Sequence, residues 1–298
     1  MNCRGAAKLK QLIDERKKTV VFLGNFNEKG QPQFFGTGFL SQIDRVTHLI
    51  TAKHVIRDEK TGNPTNNQTV FFNTKDGKIR STCVQDMKKL LGVDWIFHAD
   101  PSVDIAMIPF ALDERNDDVL TMQNSLFMKT SDLYENYDVF FMSYQPGIEA
   151  TRRITPIIRR GTISLISDDG SFYIDGSAFP GNSGSPVFLS PSLIRYTQGM
   201  QGNVSLGKDE LRGMFLGIVG EYVPYREVAI STQTNRPRIV FEENTGLSKV
   251  WSTSFIQEII ASQPFQVQLK VILDSVPKLE ATAPPPTGAD MSPPLPQN

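Results

Sequence analysis

The chain is cut into short apolar or alternating runs, each closed by turn-forming residues, and this punctuation limits the fold more than any other property. Residues 19–26 and 34–43 read as strands joined by a turn at Glu28-Lys29-Gly30-Gln31-Pro32, and residues 46–52 alternate polar and apolar. The polar stretch Asn63 to Asn67 reads as a loop, followed by strand-like runs at Thr69–Asn73, Trp95–His98 and Ile105–Phe110. A second set follows at Asp138–Tyr144, Arg160–Ile166, Phe172–Ile174, Pro186–Leu189, Gly213–Gly220, Arg238–Glu242 and Leu247–Trp251. Many short strands with few helical stretches predict an all-β barrel or sandwich. A length of 298 residues suits two such units side by side.

The remaining segments have simpler readings. Lys8 to Lys18 predicts an amphipathic helix with Leu9, Leu12 and Ile13 on one side, packed on the domain. Residues 111–135 carry charge with little periodicity and read as a connection between the two strand sets. Residues 223–245 are longer than a tight hairpin needs; they read as an exposed hairpin, with a flap over a cleft as the other reading. Phe255–Ile260 predicts a short helix capped by Ser252 or Thr253. Beyond it lie Pro284-Pro285-Pro286 and Pro293-Pro294-Leu295-Pro296, and residues 263–298 are expected to form a largely disordered Pro-rich tail.

Composition excludes several function classes. The formal net charge is -1 with no long basic block, so no nucleic-acid partner is expected. No run approaches the roughly 20 apolar residues of a membrane span, and no apolar stretch follows Met1-Asn2-Cys3-Arg4, so neither membrane contact nor a secretory signal is expected. The two cysteines, Cys3 and Cys83, read as free thiols in a reducing, cytoplasmic setting. Three histidines and two cysteines at wide spacing form no metal-ligand cluster, and no cofactor is expected.

Chemistry concentrates at Gly181-Asn182-Ser183-Gly184-Ser185-Pro186, which sets a serine in a turn left open by two glycines. A serine hydroxyl becomes a good nucleophile only with a base in reach and donors waiting for the oxyanion. His54 follows the apolar run Leu49-Ile50-Thr51-Ala52, where a buried strand opens toward the surface. Asp104 immediately precedes Ile105-Ala106-Met107-Ile108, and a carboxylate there needs a partner. A histidine Nδ1–H is a suitable one, since that bond leaves Nε2 free to accept a serine proton. The chain order is histidine, aspartate, serine. No histidine follows Ser183 and position 185 is Ser, which excludes the α/β-hydrolase order and its nucleophile elbow.

With these residues in place, the chain resembles the trypsin/chymotrypsin-like serine peptidases, most closely the bacterial-type members without disulfides such as the high-temperature-requirement proteases. The blocks that carry the resemblance are Phe35-Gly36-Thr37-Gly38-Phe39-Leu40, Thr51-Ala52-Lys53-His54-Val55, Asp104-Ile105-Ala106, Gly181 to Pro186, and Leu216-Gly217-Ile218-Val219-Gly220. The resemblance implies two six-stranded antiparallel β-barrels of the chymotrypsin type with a short C-terminal helix. It divides the chain into an N-terminal helical extension (1–17), a first barrel (18–110), an inter-barrel connection (111–135), a second barrel with its terminal helix (136–262) and the tail (263–298). It further implies Ser183 as nucleophile, His54 as general base and acid, Asp104 as orienting carboxylate, and the N–H groups of Gly181 and Ser183 as oxyanion donors. Substrate would be gripped by Ser177, Gly220 and Tyr222.

Three departures from the family pattern carry expectations of their own. Asn182 stands where many trypsins have an aspartate that pairs with a freed N-terminal amine, so activity without N-terminal cleavage is expected. Ser185 replaces a usual glycine and would narrow the turn. Gly220 replaces a serine that supports the aspartate in many members, which weakens the setting of Asp104. A neutral Ser177 at the pocket base gives a buried Lys or Arg no counter-charge, so an uncharged side chain before the scissile bond is expected. The function expected is that of an endopeptidase acting on proteins or peptides through an acyl-enzyme. Two other readings remain open: a protease-like module that binds peptides without cutting them, and a peptidase latent until a protein partner activates it.

Overall fold

The computed structural model describes residues 3–58, 61–65, 68–148, 153–191, 195–196, 204–205 and 213–282, with side chains for those from 9 to 191 and from 213 to 275. Helix α1 (Cys3–Lys17) leads into β1 (Val20–Phe26), β2 (Pro32–Ile43), β3 (Val46–Thr51), β4 (Thr69–Asn73), β5 (Ile79–Cys83), α2 (Val84–Leu91), β6 (Ile96–Phe97), β7 (Ala106–Pro109) and β8 (Met122–Gln123). The second half holds β9 (Asp138–Ser143), β10 (Ile157–Ile166), β11 (Phe172–Asp175), β12 (Pro186–Leu189), a small hairpin of β13 (Arg195–Tyr196) and β14 (Val204–Ser205), then β15 (Phe215–Ile230) and β16 (Pro237–Ser252). Helices α3 (Thr253–Ala261) and α4 (Gln263–Thr282) follow.

These elements form two β-barrels. The first follows the order β5-β4-β1-β2-β3-β7-β6, with β8 added in parallel to β2; the second closes as β10-β11-β16-β15-β12-β9. The closed barrel has the six strands expected, whereas the first sheet counts eight because β5 and the two-residue β8 join the six expected there. Polar Ile79-Arg80-Ser81-Thr82-Cys83 lacks the apolar alternation that marks a strand, yet it pairs with β4 along its whole length. Strand runs such as Phe39-Leu40 are buried at both successive positions, because one face of β2 fills the barrel and the other meets neighbouring elements. Phe39 meets Phe215 of the second barrel at 5.0 Å between ring centres, so one apolar core continues across the seam. Each such ring adds about 2–3 kcal/mol of burial.

The expected disorder from residue 263 is corrected by α4. Phe265, Leu269 and Ile272 recur at helical spacing and are all buried, which supplies the apolar stripe that holds the helix to the body. Phe265 stacks on buried His48 of β3, ring centres 4.9 Å apart. Burial pushes the His48 imidazole down to about 4, against the pull of the Val46 carbonyl at 3.0 Å from Nδ1. Pro284-Pro285-Pro286 and Pro293-Pro294-Leu295-Pro296 lie outside the described residues. Residues 223–245 are an exposed hairpin, formed because β15 and β16 continue as a ribbon past the barrel wall. Cys83 is a half-buried free thiol on β5; the side chain of Cys3 lies outside the described residues. Among the described residues no helix is long and apolar enough to cross a membrane.

Candidate active site

His54 is the second residue of a single 3-10 turn, Lys53–Ile56, that begins as β3 ends. Asp104 precedes β7, the strand paired with β3, so the antiparallel register Thr51↔Ala106 brings the two residues together. The Asp104 carboxylate receives two hydrogen bonds from one residue: Oδ1 from the His54 backbone N–H at 2.9 Å, and Oδ2 from ring Nδ1 at 2.6 Å. That double attachment fixes the ring's orientation and directs Nε2 away from the carboxylate.

Lys53, buried beside them, was not singled out in the sequence. Its ammonium donates to the carbonyls of Pro101 at 2.6 Å and Val103 at 2.8 Å, the residues leading into Asp104. Desolvation lowers the lysine's pKa, Arg57 adds to that, and Asp104 and Asp100 oppose it. Lys53 thus clamps the loop that carries the carboxylate, through backbone atoms that no residue pattern advertises.

The serine turn belongs to the second barrel but is pressed onto the first. Gly184 has φ +83, and a Cβ there would overlap the Thr37 carbonyl oxygen and the Thr51 hydroxyl and lie 3.0 Å from the Ala52 nitrogen. Ala52 is two positions from His54, so this crowding sets the serine turn against the histidine turn. Gly181 has φ +93, and a Cβ there would lie 2.7 Å from the Tyr144 ring. Only glycine fits either place without strain. Thr37 stitches the seam: its N–H donates to the Ser183 carbonyl at 3.1 Å, its hydroxyl donates to the Gly181 carbonyl at 2.8 Å, and that hydroxyl accepts from the Tyr144 N–H at 2.9 Å. Thr37 lies inside one of the motif blocks, yet its role rests on carbonyl contacts that only the fold reveals.

The Gly181 and Ser183 carbonyls are thereby occupied, while the N–H groups of the same two residues donate to no described residue. Asn182 is buried; its Oδ1 accepts from the Phe179 N–H at 2.9 Å and its Nδ2 donates to the Tyr144 carbonyl at 2.5 Å. Ser185 is buried, its amide donates to the Asn182 carbonyl at 3.1 Å, and its hydroxyl has no partner among the described residues.

The three residues assigned to substrate gripping are spread over one end of the second barrel. Gly176 and Ala178, which flank Ser177, are both tied to the Ser248 hydroxyl, and Ser248 stands opposite Tyr222 in the β15–β16 register. The Ser177 hydroxyl and the Asp175 carboxylate each lie 3.8 Å from the space a Cβ on Gly246 would fill. The Tyr222 hydroxyl donates to Glu242, which raises the phenol's pKa and lowers that of the carboxylate. Gly220 is buried under the Trp251 indole, whose nitrogen would meet a Cβ at 2.7 Å.

A double β-barrel with a paired histidine and aspartate on one barrel and a glycine-flanked serine on the other defines the chymotrypsin-like class of serine peptidase folds. The sequence model of the trypsin-like peptidase domain matches residues 36–191, more than half of the chain, and the chain belongs to that family. Among solved structures it is similar to a serine endoprotease from Yersinia pestis, with 16% identity, a TM-score of 0.45, and coverage of 90% of this chain and 67% of that one. None of the curated proteins matches it.

Proposed function

We propose that this trypsin-like peptidase cleaves internal peptide bonds through an acyl-enzyme on Ser183, with His54 as general base and acid and Asp104 as the residue that orients it. One observation carries the reading: the serine turn keeps two N–H groups unclaimed while it is crowded against the strand end that delivers the Asp104–His54 pair. In the first step the Ser183 Oγ attacks the carbonyl carbon and His54 Nε2 takes the hydroxyl proton. The negative charge on the carbonyl oxygen is met by the Gly181 and Ser183 N–H groups. Collapse of the intermediate breaks the C–N bond, and the imidazolium hands its proton to the departing amine. Water then attacks the ester with the same base, and Ser183 recovers its proton. Asn182 makes only neutral hydrogen bonds, so the turn keeps its shape with no freed N-terminal amine, which supports activity without cleavage of the chain.

The test is labelling by a fluorophosphonate probe. Wild type is expected to label, and Ser183→Ala and His54→Ala are not; turnover in either variant should fall by about 10^4-fold or more. Failure of the folded wild type to label would remove the proposal and favour a peptide-binding module or a latent enzyme awaiting a protein partner. For the side chain before the scissile bond, Ser177 favours an uncharged residue. The nearness of Asp175 to Gly246 supports a second reading, a basic residue, and peptides with Leu, Ala, Phe or Arg at that position separate the two.

A further inference from the structure

The β15–β16 ribbon leaves the barrel with neither edge paired by a described strand. The outer edge of β16 is paired to β11 only over Leu247–Val250, and β15 is paired to β12 only over Phe215–Ile218. From Pro224↔Asn244 to Ile230↔Pro237 the two strands have each other and no third strand among the described residues. Apolar side chains stand on both faces: Ile239, Val240 and Phe241 are 55%, 60% and 53% exposed. A long apolar edge of this kind is a template for another strand.

The order of residues along that edge says which strand. Arg238-Ile239-Val240-Phe241-Glu242-Glu243 runs from basic through apolar to acidic. Laid antiparallel on a copy of itself about a two-fold axis at Val240, it places Arg238 opposite Glu242 of the second copy. Ile239 then faces Phe241, and Val240 faces Val240. Each pair also lies on a common face, as the two-residue period of a strand requires. Directly opposed unlike charges and apolar pairs are the favourable cross-strand combinations. Within its own ribbon Glu242 already accepts from Arg226 Nε at 2.8 Å, so the incoming Arg238 would complete an Arg–Glu–Arg row. We propose that two copies of this chain associate through the outer edges of β16, antiparallel and centred on Val240, in an isologous dimer.

Sedimentation of the full chain at micromolar concentration tests it. Wild type is expected at twice the 33.3 kDa chain mass, and Val240→Lys, which sets two ammonium groups face to face on the axis, at 33.3 kDa. Arg238→Glu alone and Glu242→Arg alone each oppose like charges and are expected to be monomeric. An equimolar mixture of those two variants restores both Arg–Glu pairs and is expected to recover the dimer. A monomeric wild type, a Val240→Lys protein that stays dimeric, or a mixture that stays monomeric while circular dichroism shows both variants folded would overturn the proposal.

Discussion

The serine turn and the tip of the β15–β16 ribbon belong to the same barrel, and they are specified by opposite means. In the turn, positions are set by what cannot fit: Gly184 faces the Thr37 and Thr51 oxygens with no room for a methyl group, and Gly181 faces the Tyr144 ring. At the ribbon tip the side chains are exposed, and structure rests mainly on the register between two strands. The first arrangement leaves the backbone little freedom, which the proposed attack on a carbonyl would need. The second leaves surface available, which association needs.

Substitutions at three positions try that contrast. The largest effect is expected from Gly184→Ala, since a Cβ must displace two oxygens at a backbone conformation that alanine resists. We expect a loss of about 3 kcal/mol or more in stability and of at least about 100-fold in labelling rate at Ser183. Urea unfolding and probe kinetics measure both, and near-wild-type values would break the argument from crowding. Next is Lys53→Met, which strips the Pro101 carbonyl and the buried Val103 carbonyl of their donor at a cost of about 1–3 kcal/mol. As a positioning residue it is expected to lower kcat about tenfold with KM little changed. Lys53→Arg should recover part of the loss; equal falls in kcat for both, with unaltered stability, would point elsewhere. The smallest effect is expected at the ribbon, where Val240→Lys should move the unfolding free energy of the monomer by no more than about 0.5 kcal/mol. A large destabilisation there would mean that the tip is held by its own packing after all.

The same contrast explains what could be read from the residues. Strands β1 to β4 and β9 to β12 announce themselves because each buries an apolar face, and burial leaves a pattern. Histidine, aspartate and serine stand out because the sequence around each is short, glycine-bearing or abruptly apolar. By contrast β5 is polar and pairs through its backbone, and the outer parts of β15 and β16 bury little. The spacing of Phe265, Leu269 and Ile272 in α4 was present in the sequence but overshadowed by the prolines that follow. Thr37 and Lys53 act on carbonyl oxygens, and every residue has one, so no arrangement of side-chain types marks the partner in advance.

Asn182 carries a consequence for how such a turn is switched. Its carboxamide is satisfied by an amide and a carbonyl of its own barrel, so the shape of the serine turn is held by neutral dipoles rather than by an ion pair. Neutral dipoles at hydrogen-bond distance are hardly screened by salt and are not gained by proteolysis. A fusion ahead of α1 would therefore be a neighbour to this turn rather than its key, and control over the chemistry would fall to whatever covers the cleft.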